Sequence, residues 1–350
     1  MLPLCSTLFY NLLHFRILIM IIKNNKNPIT KIGLIGLGHW AKEAYLPILL
    51  TRKDVEIIGV SARTYKTLKS AKSLIGNTLK LFQDYRDLLK QPEIDAVFIG
   101  LPYKNSAPVI IDSIQADKHI FVEPPLYLGN KFIYANKLLS NKNISFHIDQ
   151  ELNYLPVITR CKELLASNNF GGVLSSKIEL QVDWSKEWDH DILELKNNVI
   201  NLSTWYISLI DLFSSSGIRS VKYLELEKGT YDIGSILIKY IDGYSGEWKF
   251  NLRNSPNIDI KFDLISANGI MKCDLLSGIL KYQYRNKKIE IEHHKAQNPI
   301  FGFAGMQESV NEFINSIFLS KTNLFNLARY RNIKDIHSNL YTYCDIPKPD

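Results

Sequence analysis

Six residues constrain this chain more than any others: Gly36-Leu37-Gly38-His39-Trp40-Ala41, a GxGxxA turn. Such a turn is common alone, but its context here is specific. Residues 31–36 read as an apolar strand, a helical stretch runs on to residue 50, and a second strand follows at residues 55–60. Together they make one βαβ unit of about 30 residues. Gly36 permits the tight turn, Gly38 lets backbone approach a pyrophosphate, and small Ala41 lets the helix pack closely on the strand. Unpaired N–H groups and the positive end of the helix dipole then meet the phosphates. The unit implies a dinucleotide site.

The end of the second strand selects the dinucleotide. NAD-binding forms usually place a carboxylate there to hold the ribose hydroxyls. This chain has Ser61-Ala62-Arg63-Thr64-Tyr65-Lys66 instead. A hydroxyl with Arg63 and Lys66 nearby accepts a 2′-phosphate that a carboxylate would repel. The expected cofactor is NADP(H) in preference to NAD(H), with NAD(H) left open.

Strand and helix go on alternating to Gln150, with apolar strands at residues 96–99, 119–122 and 144–148, as a parallel sheet covered on both faces requires. The pattern then changes. A helix at 155–165 and the Gly171-Gly172 turn lead into period-two strands at 177–182, 221–227, 235–241, 248–252 and 259–265, which read as an antiparallel sheet. Helices at 306–318 and 324–343 close the chain. A length of 350 residues suits two domains. The expected fold is an α/β Rossmann domain (28–150) followed by an α+β domain with an open, mainly antiparallel sheet (151–350).

The net charge of +7 is scattered, with no run of five like charges, which argues against a nucleic-acid surface. Cys5, Cys161, Cys273 and Cys344 have no CxxC spacing and fit a reducing, cytoplasmic compartment. Residues 1–22 are apolar, but Asn11, His14 and Arg16 interrupt them, so neither a membrane span nor a signal peptide is met. Residues 1–27 read as a leader, with the expected start at Met20.

From Lys31 onward the chain resembles the Gfo/Idh/MocA oxidoreductases. The likeness rests on the glycine turn, on Tyr45-Leu46-Pro47, on Ile99-Gly100-Leu101-Pro102, on the string from Asp117 to Leu126 that resembles the family's GKHVxxEKPL segment, and on Asn153-Tyr154-Leu155-Pro156. The resemblance implies a nucleotide domain, a sheet domain that often pairs subunits, and hydride transfer between them. A small-molecule substrate and a homo-oligomer are expected. The departures fall on proton transfer. The family lysine of EKP is Pro124, its later Asp and His correspond to Thr204 and Ser208 with only Asp211 left, and the His after the Pro102 strand end corresponds to Ser106.

The expected cofactor-binding residues are Gly36, Gly38, Ala41, Ser61, Arg63, Pro102 and Glu123. Pro124-Pro125 reads as a rigid bend that admits a cis bond. Tyr103 and Lys104, beside the implied nicotinamide position, are the candidates for proton delivery, although an exposed loop explains them equally well. His190, flanked by Asp189 and Asp191, is a third candidate acid. Tyr154, Trp188, Asp191 and Asp211 are expected near the cleft, and the cysteine and histidine spacing suggests no metal site. The leading expectation is hydride transfer to or from a small carbonyl, imine or conjugated substrate. Two other readings stay open: a non-catalytic nucleotide-binding sensor or interaction protein, and a reductase of the bilin type, which resembles this chain in lacking the EKP lysine.

Overall fold

Most strands of the first half are short and apolar, the pattern of strands buried on both faces. The computed structural model describes residues 29–167, 169–185, 191–226, 231–253, 255–295, 305–319 and 325–347. The leader and the loop residues 186–190, with Trp188 and His190, lie outside them. Strands β1 (Thr30–Ile35), β2 (Val55–Ser61), β3 (Lys80–Phe82), β4 (Ala96–Ile99), β5 (His119–Val122) and β6 (Phe146–Ile148) form a wholly parallel sheet in the order β3-β2-β1-β4-β5-β6. This is the dinucleotide-binding order, and it reverses direction between β1 and β4, where the sheet opens a crevice at its carboxyl ends.

The single helix expected up to residue 50 is two: α1 (His39–Glu43) and α2 (Leu46–Thr51). Pro47 stands in the first turn of α2, where its missing N–H leaves no bond unmade. Fully buried Tyr45 pins the break, its ring 5.3 Å from Phe98 and 6.0 Å from Phe121. Helices α3 (Tyr65–Ile75), α4 (Tyr85–Leu89), α5 (Ser106–Gln115) and α6 (Lys131–Ser140) complete the cover, and α7 (Pro156–Ala166) leads out of the sheet.

The second sheet has eight strands: β7 (Val173–Gln181), β8 (Ile218–Glu225), β9 (Ile233–Tyr240), β10 (Ser245–Asn251), β11 (Asp259–Ser266), β12 (Gly269–Asp274), β13 (Ile279–Tyr284) and β14 (Glu290–His293), in the order β14-β13-β12-β11-β7-β10-β9-β8. It is antiparallel except at one central pair, since β7 and β10 run parallel. The cause is the long helix α8 (Ile192–Asp211), which crosses over between β7 and the β8-β9-β10 meander, as a parallel neighbour requires. The helix lies tight on the sheet: a Cβ on Gly246 of β10 would meet Ile210 Cγ2 at 2.1 Å. Tyr206 of α8 stacks on fully buried Trp248, with ring centres 5.1 Å apart and planes 4° from parallel.

Two helices follow the sheet. α9 (Met306–Leu319) returns to the first domain, where Phe313 packs against Phe98 and Phe121. α10 (Arg331–Tyr343) begins later than the helix expected from residue 324. Residue 324 lies outside the described residues. The segment after it is held by other bonds: the Phe325 carbonyl accepts from Ile148 N at 2.8 Å, and Asn326 Oδ1 accepts from Arg329 N at 3.1 Å. Bonding to the edge of β6 competes there with helix.

Candidate active site

The crevice between β1 and β4 is shaped by backbone. Gly36 has φ +84°, and a Cβ on it would stand 2.5 Å from the Gly100 carbonyl oxygen, so no other residue fits without displacing β4's exit. Its N–H donates to the Ser61 carbonyl at 2.9 Å, tying the turn to buried Ser61 at the end of β2. Gly38 precedes α1 with no side-chain cap on that helix, and no atom lies within 4 Å of where its Cβ would be. Buried Ala41 lets α1 approach Gly100. Beyond Ser61, Thr64 caps α3 by accepting from Thr67 N at 3.2 Å, and Arg63 and Lys66 are exposed. A dinucleotide fits these residues: glycine backbone stands open at the turn, and Glu123, at the end of β5, has a fully buried Oε1 without a hydrogen-bond partner. Such an orphan acceptor suits a ribose hydroxyl.

A cavity of about 460 Å³ continues from this turn towards the second sheet. Gly38 to Ala41, Gly100 to Pro102, Glu123 and Pro124 line one side. Leu152, Leu155, Leu202, Trp184, Trp205, Tyr206, Ile260 and Leu275 line the other, with Glu151 among them. Leu202, Trp205 and Tyr206 are spaced i, i+3, i+4 on α8, so a single helix face supplies those three. Among the lining residues, carboxyls come only from Glu123 and Glu151.

Those two belong to a buried group of three acids with Asp149. All three carboxyls are held well above the usual carboxylate range, chiefly by burial. Mutual repulsion adds to it for Glu123 and Glu151, while the Trp40 indole opposes the rise at Glu123 and the Trp205 indole opposes it at Glu151. Asp149 Oδ1 accepts from Ser309 Oγ of α9 at 2.7 Å, and that hydroxyl stands 2.9 Å from His147 Nε2. Burial lowers His147 to about 3, so its imidazole is neutral.

The expected site residues separate into groups. Gly38, Ala41, Pro102 and Glu123 line the cavity; Gly36 and Ser61 support the turn from behind; Arg63 lies on the surface beyond β2. Tyr103 packs its ring on Tyr127 at 4.7 Å, Lys104 lies over the Tyr103 ring at 5.7 Å, and neither lines the cavity. His190 lies outside the described residues. Asp191 caps α8, accepting from Glu194 N at 2.9 Å, and Asp211 accepts from Asn332 Nδ2 at 2.8 Å; these and Tyr154 are likewise not in the lining. Thr204 turns to His337 and Ser208 to Asn153, on the faces of α8 away from the cavity. The Pro124-Pro125 bond is cis. Glu151 was not anticipated, although two acids directly after an apolar parallel strand stand where such sheets bind ligands.

Comparison with known proteins bears on the family and the fold. Residues 30–138 match the family described as oxidoreductase family, NAD-binding Rossmann fold (GFO_IDH_MocA). The inositol 2-dehydrogenase/D-chiro-inositol 3-dehydrogenase of Lactiplantibacillus plantarum is 21% identical over 255 residues, 70% of this chain and 71% of that one. A 3-ketoreductase from Actinomadura kijaniata, solved with TDP-benzene and NADP, superposes with a TM-score of 0.71 at 16% identity, covering 90% of this chain and 98% of its own. A levoglucosan dehydrogenase solved with NADH and levoglucosan gives 0.76 at 16% identity, covering 90% and 97%. Structures at this identity share the fold. No helix among the described residues is long and apolar enough to cross a membrane.

Proposed function

From the match of residues 30–138 to the Gfo/Idh/MocA oxidoreductase family, we propose that this chain is an NADP(H)-preferring oxidoreductase acting on a flat, weakly hydrogen-bonding carbonyl, imine or conjugated compound held in the cavity between its two sheets. The observation that carries the reading is the composition of the wall facing the glycine turn: Trp184, Trp205 and Tyr206 with Leu152, Leu202, Ile260 and Leu275. Each sugar hydroxyl buried there without a partner would cost about 1–3 kcal/mol, whereas a conjugated ring gains contact with aromatic faces.

The residues that would hold the cofactor are Gly36, Gly38 and Ala41 at its pyrophosphate, Pro102 and Glu123 towards its nicotinamide end, and Ser61 and Arg63 towards its adenosine ribose. Bound there in reduced form, it supplies a hydride. The chain's residues do the rest. The glycine turn holds the pyrophosphate, the aromatic wall orients the substrate and excludes water, and Glu123 accepts a ribose hydroxyl. The preference for NADP(H) is supported by exposed Arg63 and Lys66 where a carboxylate would otherwise stand. Exposed apolar residues on the second sheet, Leu174 and the paired Ile265 and Ile270, support the expected homo-oligomer.

The test is oxidation of NADPH and NADH by the purified protein against cyclic enones, imines and bilins, with inositols and sugars alongside. Turnover of a conjugated or imine substrate is expected. Turnover of polyols alone would overturn the substrate class, and binding without turnover on any class would favour a sensor.

A further inference from the structure

Reduction of a carbonyl or imine needs a proton at the heteroatom, delivered by a titratable group within hydrogen-bond reach. Pro124 has no proton to give. Among the described side chains lining the cavity, His39 is 87% exposed and paired with Glu43 at 3.2 Å, and the Tyr206 phenol is held high by burial. Glu123 stands on the cofactor side, where its unpartnered Oε1 suits a ribose hydroxyl. Glu151 stands on the opposite wall with Trp205 and Tyr206, at the start of the turn Glu151–Tyr154 that links β6 to the second domain. Its Oε2 is fully buried and has no hydrogen-bond partner, while the carboxyl interacts with Asp149 and with the Trp205 indole.

We propose that Glu151 is the catalytic acid-base residue of this cavity, giving its carboxyl proton to the substrate heteroatom in reduction and recovering it in oxidation; this rests on the oxidoreductase reading of the same site. In reduction the substrate carbon takes hydride, two electrons and one hydrogen, from the reduced cofactor. The Glu151 O–H bond breaks, its proton joins the oxygen or nitrogen, and Glu151 is left as carboxylate beside an oxidised cofactor. Glu151 then takes a proton from solvent to restore the acid. The groups that face it are Asp149 and Glu123, which keep the acid form favoured at neutral pH, and Tyr206, which carries no charge there. Asp149, behind the wall and fixed by Ser309, is a positioning residue that sets how readily Glu151 gives up its proton.

The experiment compares wild type with Glu151→Gln and Glu151→Asp by NADPH fluorescence titration, turnover against pH, and infrared difference spectra. The expected result for Glu151→Gln is unchanged NADPH affinity, a kcat lower by about 10²–10⁴-fold with its pH dependence flattened, and loss of a neutral carboxylic-acid band near neutral pH. Glu151→Asp keeps the acid and recovers part of the rate. A kcat for Glu151→Gln within about threefold of wild type, an unchanged pH profile, or loss of a carboxylate band in place of the acid band would each overturn the proposal. If the Gln variant does not fold, Glu151→Asp decides: an altered kcat pH profile supports the role and an unaltered one overturns it. Failure of the wild type to bind NADPH would instead overturn the oxidoreductase reading.

Discussion

The cofactor wall of the cavity comes from residues 38–41, shaped from behind by Gly36, and from the adjoining strand ends at residues 100–102 and 123, whereas the opposite wall draws Leu152, Trp184, Trp205, Ile260 and Leu275 from five separate segments. The first wall is a matter of backbone conformation, with a left-handed glycine and an open one holding its shape. The second is a matter of side-chain packing, held by α8 lying flat on β10. Damage to the two should therefore read out differently, in cofactor affinity for the first and in substrate turnover for the second.

The largest effect is expected on the cofactor wall. Gly36→Val forces a β-branched residue into the left-handed region, about 1–2 kcal/mol, and drives its Cβ onto the Gly100 carbonyl. NADPH affinity should fall by about 100-fold or more, with a lower thermal midpoint. A wild-type titration curve would break the account of that wall. On the other side, Trp205→Ala removes roughly 1.5–3 kcal/mol of apolar contact, so kcat/KM should fall about 10- to 100-fold while the NADPH dissociation constant holds. Equal changes in both would mean that the two walls do not act separately.

A smaller effect is expected at the edge of the cofactor wall. Arg63→Ala should weaken NADPH by about tenfold, the lower end for a charged hydrogen bond because Arg63 is exposed, and leave NADH unchanged. Equal weakening of both would remove the 2′-phosphate role.

The smallest concerns α10's hold on the helix behind the substrate wall. His337 Nε2 lies 3.2 Å from Ser203 Oγ and 3.3 Å from Thr204 Oγ1, and burial pushes its pKa down to about 3. Between there and the unfolded value of about 6.5, the unfolded chain binds the extra proton, so stability falls as pH drops through that window. His337→Gln should lessen the fall in thermal midpoint on acidification and leave NADPH titration at neutral pH unchanged. A wild-type acid response in the variant would contradict this.

The legibility of the sequence followed the same division. The glycine turn, β4, β5 and the parallel half were readable because short-range constraints fix them: a tight turn needs glycine, and a doubly covered strand needs an unbroken apolar run. The parallel β7–β10 pair was hidden because alternation reports which face is buried and not which strand lies alongside. On α8, the spacing of the family's Asp and His drew attention to Thr204 and Ser208, which bond to His337 and Asn153. The face that reaches the cavity is the apolar set Leu202, Trp205 and Tyr206. Glu151 was overlooked for a related reason, because its meaning depends on Glu123, brought beside Asp149 and Glu151 only by the sheet.

The most direct test is titration with NADPH while exciting tryptophan, since Trp40, Trp184 and Trp205 line the cavity. The account predicts saturable quenching of protein emission with energy transfer to the bound nicotinamide, weakened by Gly36→Val and unaffected in affinity by Trp205→Ala. Protein emission that stays unchanged across the titration, with no transfer, would contradict a cofactor in this cavity.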